Sequence, residues 1–210
     1  MAIKLYGMTL SNNSVRAMAA LNEKVLEFEF ITVDLSAGAH KKPEFLALNP
    51  FGQVPALQDG DETLFESRAI TRYIATKYKD SGFNLLPASL AKFETWLQVE
   101  SSEFNPLIDG INFEILIKPF MGMTTDMANV EAKAKQLSAV LDVYEAHLSK
   151  NKYIAGDEFT LADLNHMPEI YLFVKTPKAD LINSRPHVKA WWENISARDA
   201  WKKTAASIPL

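Results

Sequence analysis

The segment VPALQDGDETLF, residues 54–65, decides the fold of this chain. It contains two short apolar runs, 54–58 and 62–65, separated by the sequence DGD at 59–61. Asp-Gly between apolar runs is a strong hairpin signal, because these residue types tolerate the positive φ angles of tight hairpin turns. The sequence therefore predicts two antiparallel strands here, the third and fourth of the chain.

A strand–helix–strand unit is predicted upstream of this hairpin. Residues 3–6 and 28–33 alternate with a period of two, as half-buried strands do. Apolar residues recur at helical spacing in 15–21, between the two strands, and again in 70–78, after the hairpin. Together these elements predict an α/β domain over residues 1–78.

The rest of the chain is predicted to be helical. Residues 79–88 contain Gly82 and Pro87 and have no period of their own, which indicates a linker. Residues 89–210 show only helical periodicity, so we expect an all-α second domain. Its predicted helices are a long one broken near Pro106 or Pro119, one at 126–148, one beginning at Thr160 and one at 186–197.

The start of the helix at Thr160 is unusually well marked. Asp163 follows Thr160 by three residues, close to the capping-box pattern, and Phe159 is placed to pack against Leu164 as a hydrophobic staple. This combination is typical of residues that stabilise the start of a helix. Asp163 is therefore expected to have a structural role and not a catalytic one.

Composition excludes several classes of protein. Of the 210 residues, 48% are hydrophobic and 23% charged, as in soluble globular proteins, and the net charge of −4 argues against a nucleic-acid partner. No apolar run is long enough to span a membrane, so we expect a cytoplasmic protein without a membrane partner. Cysteine is absent, so any reactive thiol must be supplied by a substrate.

Two neighbouring segments, 49–56 (NPFGQVPA) and 65–70 (FESRAI), carry the residues that suggest a binding site. Pro55 keeps Val54 from continuing a strand ladder, so the backbone of Val54 can pair with a peptide-like ligand, in one fixed geometry if the Val54–Pro55 bond is cis. Ser67 begins a helix whose positive end suits a carboxylate. Glu66 beside it suits an amine.

A basic cluster adds a second anion site. His40, Lys41 and Lys42 follow the second strand and can bind a further carboxylate through charge-assisted hydrogen bonds. Glutathione is a peptide-like molecule with two carboxylates, an amine and a thiol, so it suits these groups. Taken alone, Ser67 is more simply a helix cap and the lysines a solvated loop. Their order and spacing within a short α/β domain favour the binding site.

The two segments resemble the glutathione-site signature of the phi class of glutathione transferases, best known from plants. The likeness extends over nearly the whole chain, with weaker matches at 38–43, 141–145, 155–157 and 191–192. It implies a thioredoxin-like N-terminal domain, an all-helical C-terminal domain and a site in the cleft between them. It also implies a homodimer, for which Phe51 is the expected apolar anchor.

The resemblance assigns roles to single residues. Ser11 matches the family's catalytic serine, whose hydroxyl would donate a hydrogen bond to the glutathione sulfur and so favour the thiolate. The neighbouring Ser14 is the alternative donor, and an N-cap is the simpler explanation of Ser11. For glutathione, the resemblance implies that the glycine carboxylate is bound by His40 and Lys41, the backbone by Gln53 and Val54, and the γ-glutamyl end by Glu66 and Ser67.

The second substrate is expected to be an apolar electrophile. The residues expected to contact it are Met8, Leu10, Leu35, Phe113, Ile117 and Tyr171, although a pair such as Phe113 and Ile117 at i, i+4 is more often part of a core. His147, His166 and His187 have no second ligand at metal spacing. We therefore expect no metal and no cofactor, with glutathione as a co-substrate.

The implied activity is conjugation of glutathione to hydrophobic electrophiles, a detoxification reaction, and the resemblance leaves open whether organic hydroperoxides are reduced as well. The alternative function is a non-catalytic carrier of flavonoid-like or other apolar molecules on the same fold. A thiol–disulfide oxidoreductase is disfavoured, because its reaction passes through a protein mixed disulfide and this chain has no cysteine.

Overall fold

A computed structural model describes residues 2–87 and 89–209 of the chain. Its internal contacts group into two compact units, Met1–Leu86 together with Ala197–Leu210, and Pro87–Ser196. We call them the α/β unit and the helical unit. The sequence predicts residues 197–210 to be part of the helical domain, whereas the contacts group Ala197–Leu210 with the α/β unit. The linker predicted at 79–88 stays a prediction.

The α/β unit is built on one mixed four-stranded sheet, as the sequence predicts. Its strands are β1 (Ile3–Gly7), β2 (Phe28–Thr32), β3 (Ala56–Asp59) and β4 (Glu62–Phe65), in the order β2-β1-β3-β4. The strands β1 and β2 are parallel, and β3 is antiparallel to both β1 and β4. The third strand begins at Ala56 and not at Val54, because the first ladder pair of β3 joins Ala56 to Tyr6.

Three helices accompany the sheet. Helix α1 (Asn12–Glu23) connects β1 to β2, α2 (Pro43–Leu46) follows β2, and α3 (Ser67–Lys77) follows β4. Helix α1 contacts both β1 and α3, and it is buried along most of its length. The two helix N-termini that the sequence marks, near Ser11 and at Ser67, therefore belong to packed neighbours.

The helical unit contains eight α-helices and two π-helical turns among its described residues. The π-helical turns, Glu100–Phe104 and Phe113–Ile117, interrupt the long helix that the sequence predicts near Pro106 and Pro119. The helices are α4 (Leu90–Val99), α5 (Asn105–Asn112), α6 (Lys118–Phe120), α7 (Met127–Leu148), α8 (Leu161–Leu164), α9 (Met167–Phe173), α10 (Asp180–Asn183) and α11 (Pro186–Ser196).

The capping box at the start of α8 is confirmed. The Asp163 carboxylate accepts hydrogen bonds from the backbone N–H groups of Thr160 and Ile154, both at 2.9 Å, and the Thr160 hydroxyl accepts from Ala162. The indole N–H of Trp191 donates to the same carboxylate at 2.9 Å. Burial raises the pKa of Asp163 to about 6, although these hydrogen bonds favour its ionised form.

The C-terminal segment is fixed to the α/β unit by specific contacts with α1. The last helix, α12 (Asp199–Ala205), packs against α1, and the amide of Asn22 donates to the Thr204 hydroxyl at 2.8 Å. Arg198 forms a two-point ion pair with Glu23, at 2.6 and 2.7 Å. In the described part of the chain, no helix combines the length and apolar character needed to cross a membrane.

Candidate active site

The loop between β1 and α1 presents two serine hydroxyls in different environments. Ser11 is the N-cap of α1 and is half-buried, and its oxygen accepts a hydrogen bond from the Ser14 N–H at 3.4 Å. Ser14 is completely buried, and its oxygen accepts from the Met8 N–H at 3.2 Å. The Ser14 hydroxyl is thus held inside the fold, whereas the Ser11 hydroxyl lies at the accessible end of the helix.

Close packing around Ser14 explains why it is enclosed. A Cβ atom at Gly7 would lie 2.7 Å from the Ser14 oxygen, so only glycine fits at the end of β1. The first turn of α1 carries no acidic side chain. The positive dipole end of α1 therefore favours an anion next to Ser11.

A buried polar network joins the N-termini of α1 and α3. The Arg16 guanidinium is completely buried and donates to the Asn13 side-chain oxygen at 2.5 Å and to the Ser67 hydroxyl oxygen at 2.9 Å. The Ser67 hydroxyl donates in turn to Asn13 at 3.0 Å. This network fixes the segment that begins with Ser11 relative to the segment that begins with Ser67.

Glu66 and Ser67, the two residues predicted to bind the γ-glutamyl end of glutathione, follow β4 directly. Ser67 is the first residue of α3, and its hydroxyl proton is directed to Asn13, so its backbone N–H is the group left to meet a carboxylate. Glu66 is exposed and has φ 67° and ψ 110°, a conformation that residues other than glycine rarely adopt. Within 2–87 and 89–209, its carboxylate makes no hydrogen bond or ion pair.

The segment before β3 is shaped by Asn49 and a cis peptide bond. The Val54–Pro55 bond is cis. The Asn49 amide donates to the Gln53 carbonyl at 2.6 Å, and its oxygen accepts from the Phe51 N–H at 3.0 Å. Gln53 is exposed and Val54 half-buried, and Val54 takes no part in the ladders of β3.

The structure brings the basic cluster to this same segment. The Lys41 ammonium donates to the Gly52 and Phe51 carbonyls at 2.9 and 3.2 Å. Gly52 has φ 59°, and a Cβ atom there would lie 2.7 Å from the His40 carbonyl oxygen. The His40 Nδ1 atom is buried and has no hydrogen-bond partner among the described residues. The Phe51 ring packs edge-on against Phe65 at 5.9 Å, which links this segment to the end of β4.

The six residues predicted for the electrophile are divided between the two units. Met8, Leu10 and Leu35 are half-buried in the α/β unit, and Leu35 also packs against the apolar cluster around Val33. Phe113 and Ile117 lie on the second π-helical turn of the helical unit. Tyr171 is half-buried on α9, with the Lys175 ammonium 3.9 Å from its ring centre.

Sequence reasoning missed the participation of Asn13 and Arg16 in this site. A signal was present, because Arg16 is a charged residue within an otherwise apolar run of α1.

The other histidines have structural partners: His147 contacts the Ile154 carbonyl, His166 contacts Tyr144, and His187 contacts Glu145. No group of three metal-binding side chains occurs in the ranges 2–87 and 89–209.

Comparisons with known proteins identify the family. Residues 1–76 match the family model described as glutathione S-transferase, N-terminal domain, and residues 104–199 match that of the C-terminal domain. Glutathione S-transferase 3 of Zea mays is 59% identical over 212 residues, which cover 99% of this chain and 95% of that protein.

Solved structures agree with this match. Glutathione transferase F7 from Populus trichocarpa superimposes with a TM-score of 0.96 at 49% identity and covers 100% of both chains. Glutathione S-transferase I from maize, solved with an atrazine–glutathione conjugate, gives a TM-score of 0.91 at 44% identity and covers 99% of this chain and 98% of that one. This chain therefore belongs to the glutathione S-transferase family and, within it, to the plant phi class.

Proposed function

We propose that this protein is a serine-type glutathione transferase that conjugates the glutathione thiolate to hydrophobic electrophiles. The observation that carries the proposal is the position of Ser11, half-buried at the N-terminus of α1, together with the polar network that ties this terminus to Ser67. The first relatives compared are all named glutathione S-transferases. Their names, and the complex with the atrazine–glutathione conjugate, do not favour the carrier alternative.

Ser11 acts as a hydrogen-bond donor to the sulfur. As the cap of α1, its oxygen uses a lone pair to accept from Ser14, and the hydroxyl proton stays available for donation. A hydrogen bond to the thiolate lowers the thiol pKa, and so does the positive end of α1. Because a free thiol has a pKa of about 8.5, each unit of depression yields roughly tenfold more thiolate near neutral pH.

The thiolate is the nucleophile of the reaction. It forms a carbon–sulfur bond with the electrophile, whose leaving group departs with the bonding electron pair. The serine is not acylated or alkylated at any stage. The chain therefore needs no cysteine of its own, and glutathione serves as a co-substrate.

The rest of glutathione is bound by the α/β unit. The Val54 backbone pairs with the peptide part, Gln53 lies beside it, and His40 and Lys41 hold the glycine carboxylate. This assignment is supported by the contact of Lys41 with the Gly52 carbonyl and by the buried Nδ1 atom of His40, which has no hydrogen-bond partner among the described residues. The Ser67 N–H and the Glu66 carboxylate bind the two charges of the γ-glutamyl end.

The electrophile contacts apolar side chains. Phe113 is 40% exposed and Ile117 half-buried on one π-helical turn, so both present apolar surface that a substrate can cover. Met8, Leu10, Leu35 and Tyr171 complete the proposed set. Reduction of organic hydroperoxides and a homodimeric assembly remain predictions from the resemblance, and a cytoplasmic location remains a prediction from the absence of a long apolar run.

A conjugation assay with glutathione and an aryl halide tests the role of Ser11. Ser11→Ala should lower kcat by about 10²- to 10³-fold, the usual cost of removing one donor to an anion in a preorganised site. The Michaelis constant for glutathione should change little, because the other glutathione contacts remain.

Ser14→Ala is the matched control. It should leave kcat nearly unchanged but lower the free energy of unfolding by about 1–3 kcal/mol, because the Met8 N–H loses its buried acceptor. Thermal or urea unfolding of both variants measures this difference. If Ser14→Ala abolishes conjugation, or Ser11→Ala retains it, the assignment of the activating hydroxyl is wrong.

A further inference from the structure

A buried carboxylate lies within the apolar turn that carries Phe113 and Ile117. The turn reads FEILI, and Glu114 is its only charged residue. The Glu114 side chain is just 6% exposed. A carboxylate removed from water is costly unless several donors surround it, so its partners explain why it is tolerated.

Glu114 joins the turn to a segment well beyond it in sequence. Its carboxylate pairs with the Lys118 ammonium at 2.8 Å, and accepts from the Asp126 N–H at 2.8 Å and from the Asn129 amide at 3.0 Å. The Thr125 hydroxyl donates to the Glu114 backbone carbonyl at 2.8 Å. The π-helical turn is thereby tied to the N-terminus of α7, where Asp126 is the N-cap.

Glu114 stays ionised at neutral pH and well below it. The hydrogen bond from Lys118 is the main cause that lowers the pKa of Glu114 to about 2, with further contributions from the Asp126 N–H and the Asn129 amide. The carboxylate also lies near the positive end of the long helix α7. Because its ionised form is fully paired, Glu114 is not suited to act as an acid or base in the reaction.

Exposed apolar side chains follow the turn that carries Glu114. Phe120 is 78% exposed, and Met121 and Met123 are exposed beside it. The N–H groups of Met121 and Met123 donate to the carbonyls of Ile117 and Lys118 at 3.0 and 2.8 Å. These residues therefore continue directly from the turn that Glu114 holds.

We infer that Glu114 is a positioning residue that fixes the apolar face of the second π-helical turn and thereby sets which electrophiles this transferase accepts. The inference rests on the proposed function, because it takes Phe113 and Ile117 to be contacts of the electrophile. π-Helical turns recur at functional sites, since the extra residue re-aims side chains that a regular helix would direct elsewhere. Glu114 anchors the inner side of this turn while its neighbours present the outer side.

The test is a steady-state comparison of Glu114→Gln with the wild type, using a small and a bulky aryl halide. The glutamine keeps one acceptor but loses the charge that holds Lys118. The Michaelis constant for the halides should rise about 3- to 10-fold, the usual range of effects transmitted through a neighbouring residue. Discrimination between the two halides should weaken, and the Michaelis constant for glutathione should stay within about twofold, since only one substrate loses its contacts.

Two further variants keep the test decisive. Glu131→Gln removes an ion pair with Lys178 on the surface of the same unit, and it should change neither Michaelis constant. Thr125→Val removes only the hydrogen bond to the Glu114 carbonyl. It should shift the halide constant in the same direction by a smaller factor, and it serves in place of Glu114→Gln if that variant does not fold.

The outcomes separate this inference from the proposed function. A wild type that conjugates no halide would overturn both. If Phe113→Ala raises the Michaelis constant for the halide but Glu114→Gln and Thr125→Val do not, the inference alone is wrong. A parallel rise for halide and glutathione in Glu114→Gln would also overturn it, because it would indicate a general loss of structure.

Discussion

Glu66 combines a strained backbone with an exposed carboxylate. Its φ of 67° lies in the region that favours glycine, and such a residue costs about 1–3 kcal/mol. Its carboxylate has no partner in the described part of the chain, so no contact of the side-chain charge offsets this cost. Strain of this kind is concentrated at ligand sites, which supports a binding role for Glu66.

Glu66→Ala should raise the Michaelis constant for glutathione while lowering kcat far less than Ser11→Ala does. The reason is that the γ-glutamyl contact exists equally in the ground state and the transition state. Alanine retains the Cβ atom and hence the backbone strain, so the change reports the loss of the carboxylate. Initial-rate kinetics with varied glutathione measure both constants.

A glutathione analogue without the γ-glutamyl amine supplies the control. The wild type should bind it more weakly than glutathione, because the Glu66 carboxylate loses its partner on binding. Glu66→Ala should hardly distinguish the two ligands. Equal discrimination by wild type and variant would show that another group holds the amine.

The two serines show where residue-scale prediction ends. Ser11 and Ser14 are three positions apart, and the sequence alone could not decide which hydroxyl faces a ligand. The two hydroxyls differ in accessibility because Ser14 packs against Gly7, a tertiary contact that the sequence does not reveal. Ser67 was predicted as a helix start, but its bond to Asn13 across 54 positions had no sequence signal.

At the scale of elements, helix α8 depends on one buried carboxylate. Asp163→Asn should lower the free energy of unfolding by about 2–4 kcal/mol, because an amide group would face a backbone N–H in place of an acceptor. Thermal and urea unfolding measure this loss. Conjugation at a temperature where the variant is folded should be retained, since the Asp163 carboxylate is buried and accepts hydrogen bonds from backbone N–H groups and Trp191.

The effect of Asp163→Asn should also depend on pH. The pKa of Asp163 in the folded protein, about 6, is above the ordinary value of 3.8, so the part of its stabilising effect that depends on protonation is complete below pH 4 and is lost as the pH rises through 6. Asparagine does not titrate. The difference in stability between wild type and variant should therefore be larger at pH 4.5 than at pH 7, and a constant difference would contradict the raised pKa.

Elements with strong local signals were predicted well. The hairpin around Gly60, the start of α3 at Ser67 and the cap at Thr160 each depend on a few adjacent residues. The π-helical turns at 100–104 and 113–117 were not predicted. Their hydrophobic spacing differs little from that of an α-helix, and Glu114 finds partners 12 and 15 positions away.

At the scale of the whole molecule, the predicted homodimer depends on Phe51. This side chain is 65% exposed between Pro50 and Gly52, and an exposed aromatic ring on a loop is typical of an interface anchor. We expect it to insert into the helical domain of a second copy. Light scattering at micromolar concentration should give a dimer mass for the wild type.

Phe51→Ala should weaken the dimer by about 2–4 kcal/mol, as expected for a central aromatic contact. Phe120→Ala, which removes a ring that is 78% exposed on the helical unit, should leave the mass unchanged. A monomeric wild type would refute the dimer. A fully dimeric Phe51→Ala would refute only the role of Phe51 as its anchor.

The grouping of the C-terminal segment with the α/β unit could not be predicted from periodicity. Helix α12 has an ordinary helical pattern, and the pattern does not reveal which surface it covers. The ion pair between Arg198 and Glu23 joins residues 175 positions apart. A contact between residues so far apart produces no periodic pattern in a single sequence.

The attachment of α12 to α1 makes the α/β unit discontinuous along the chain. Its sheet and first three helices are translated before the helical unit, but the partners of Asn22 and Glu23 are translated after it. The helical unit, a single continuous stretch, is fully available before them. During synthesis, the side of α1 that contacts α12 therefore stays uncovered until residues 197–205 have been translated.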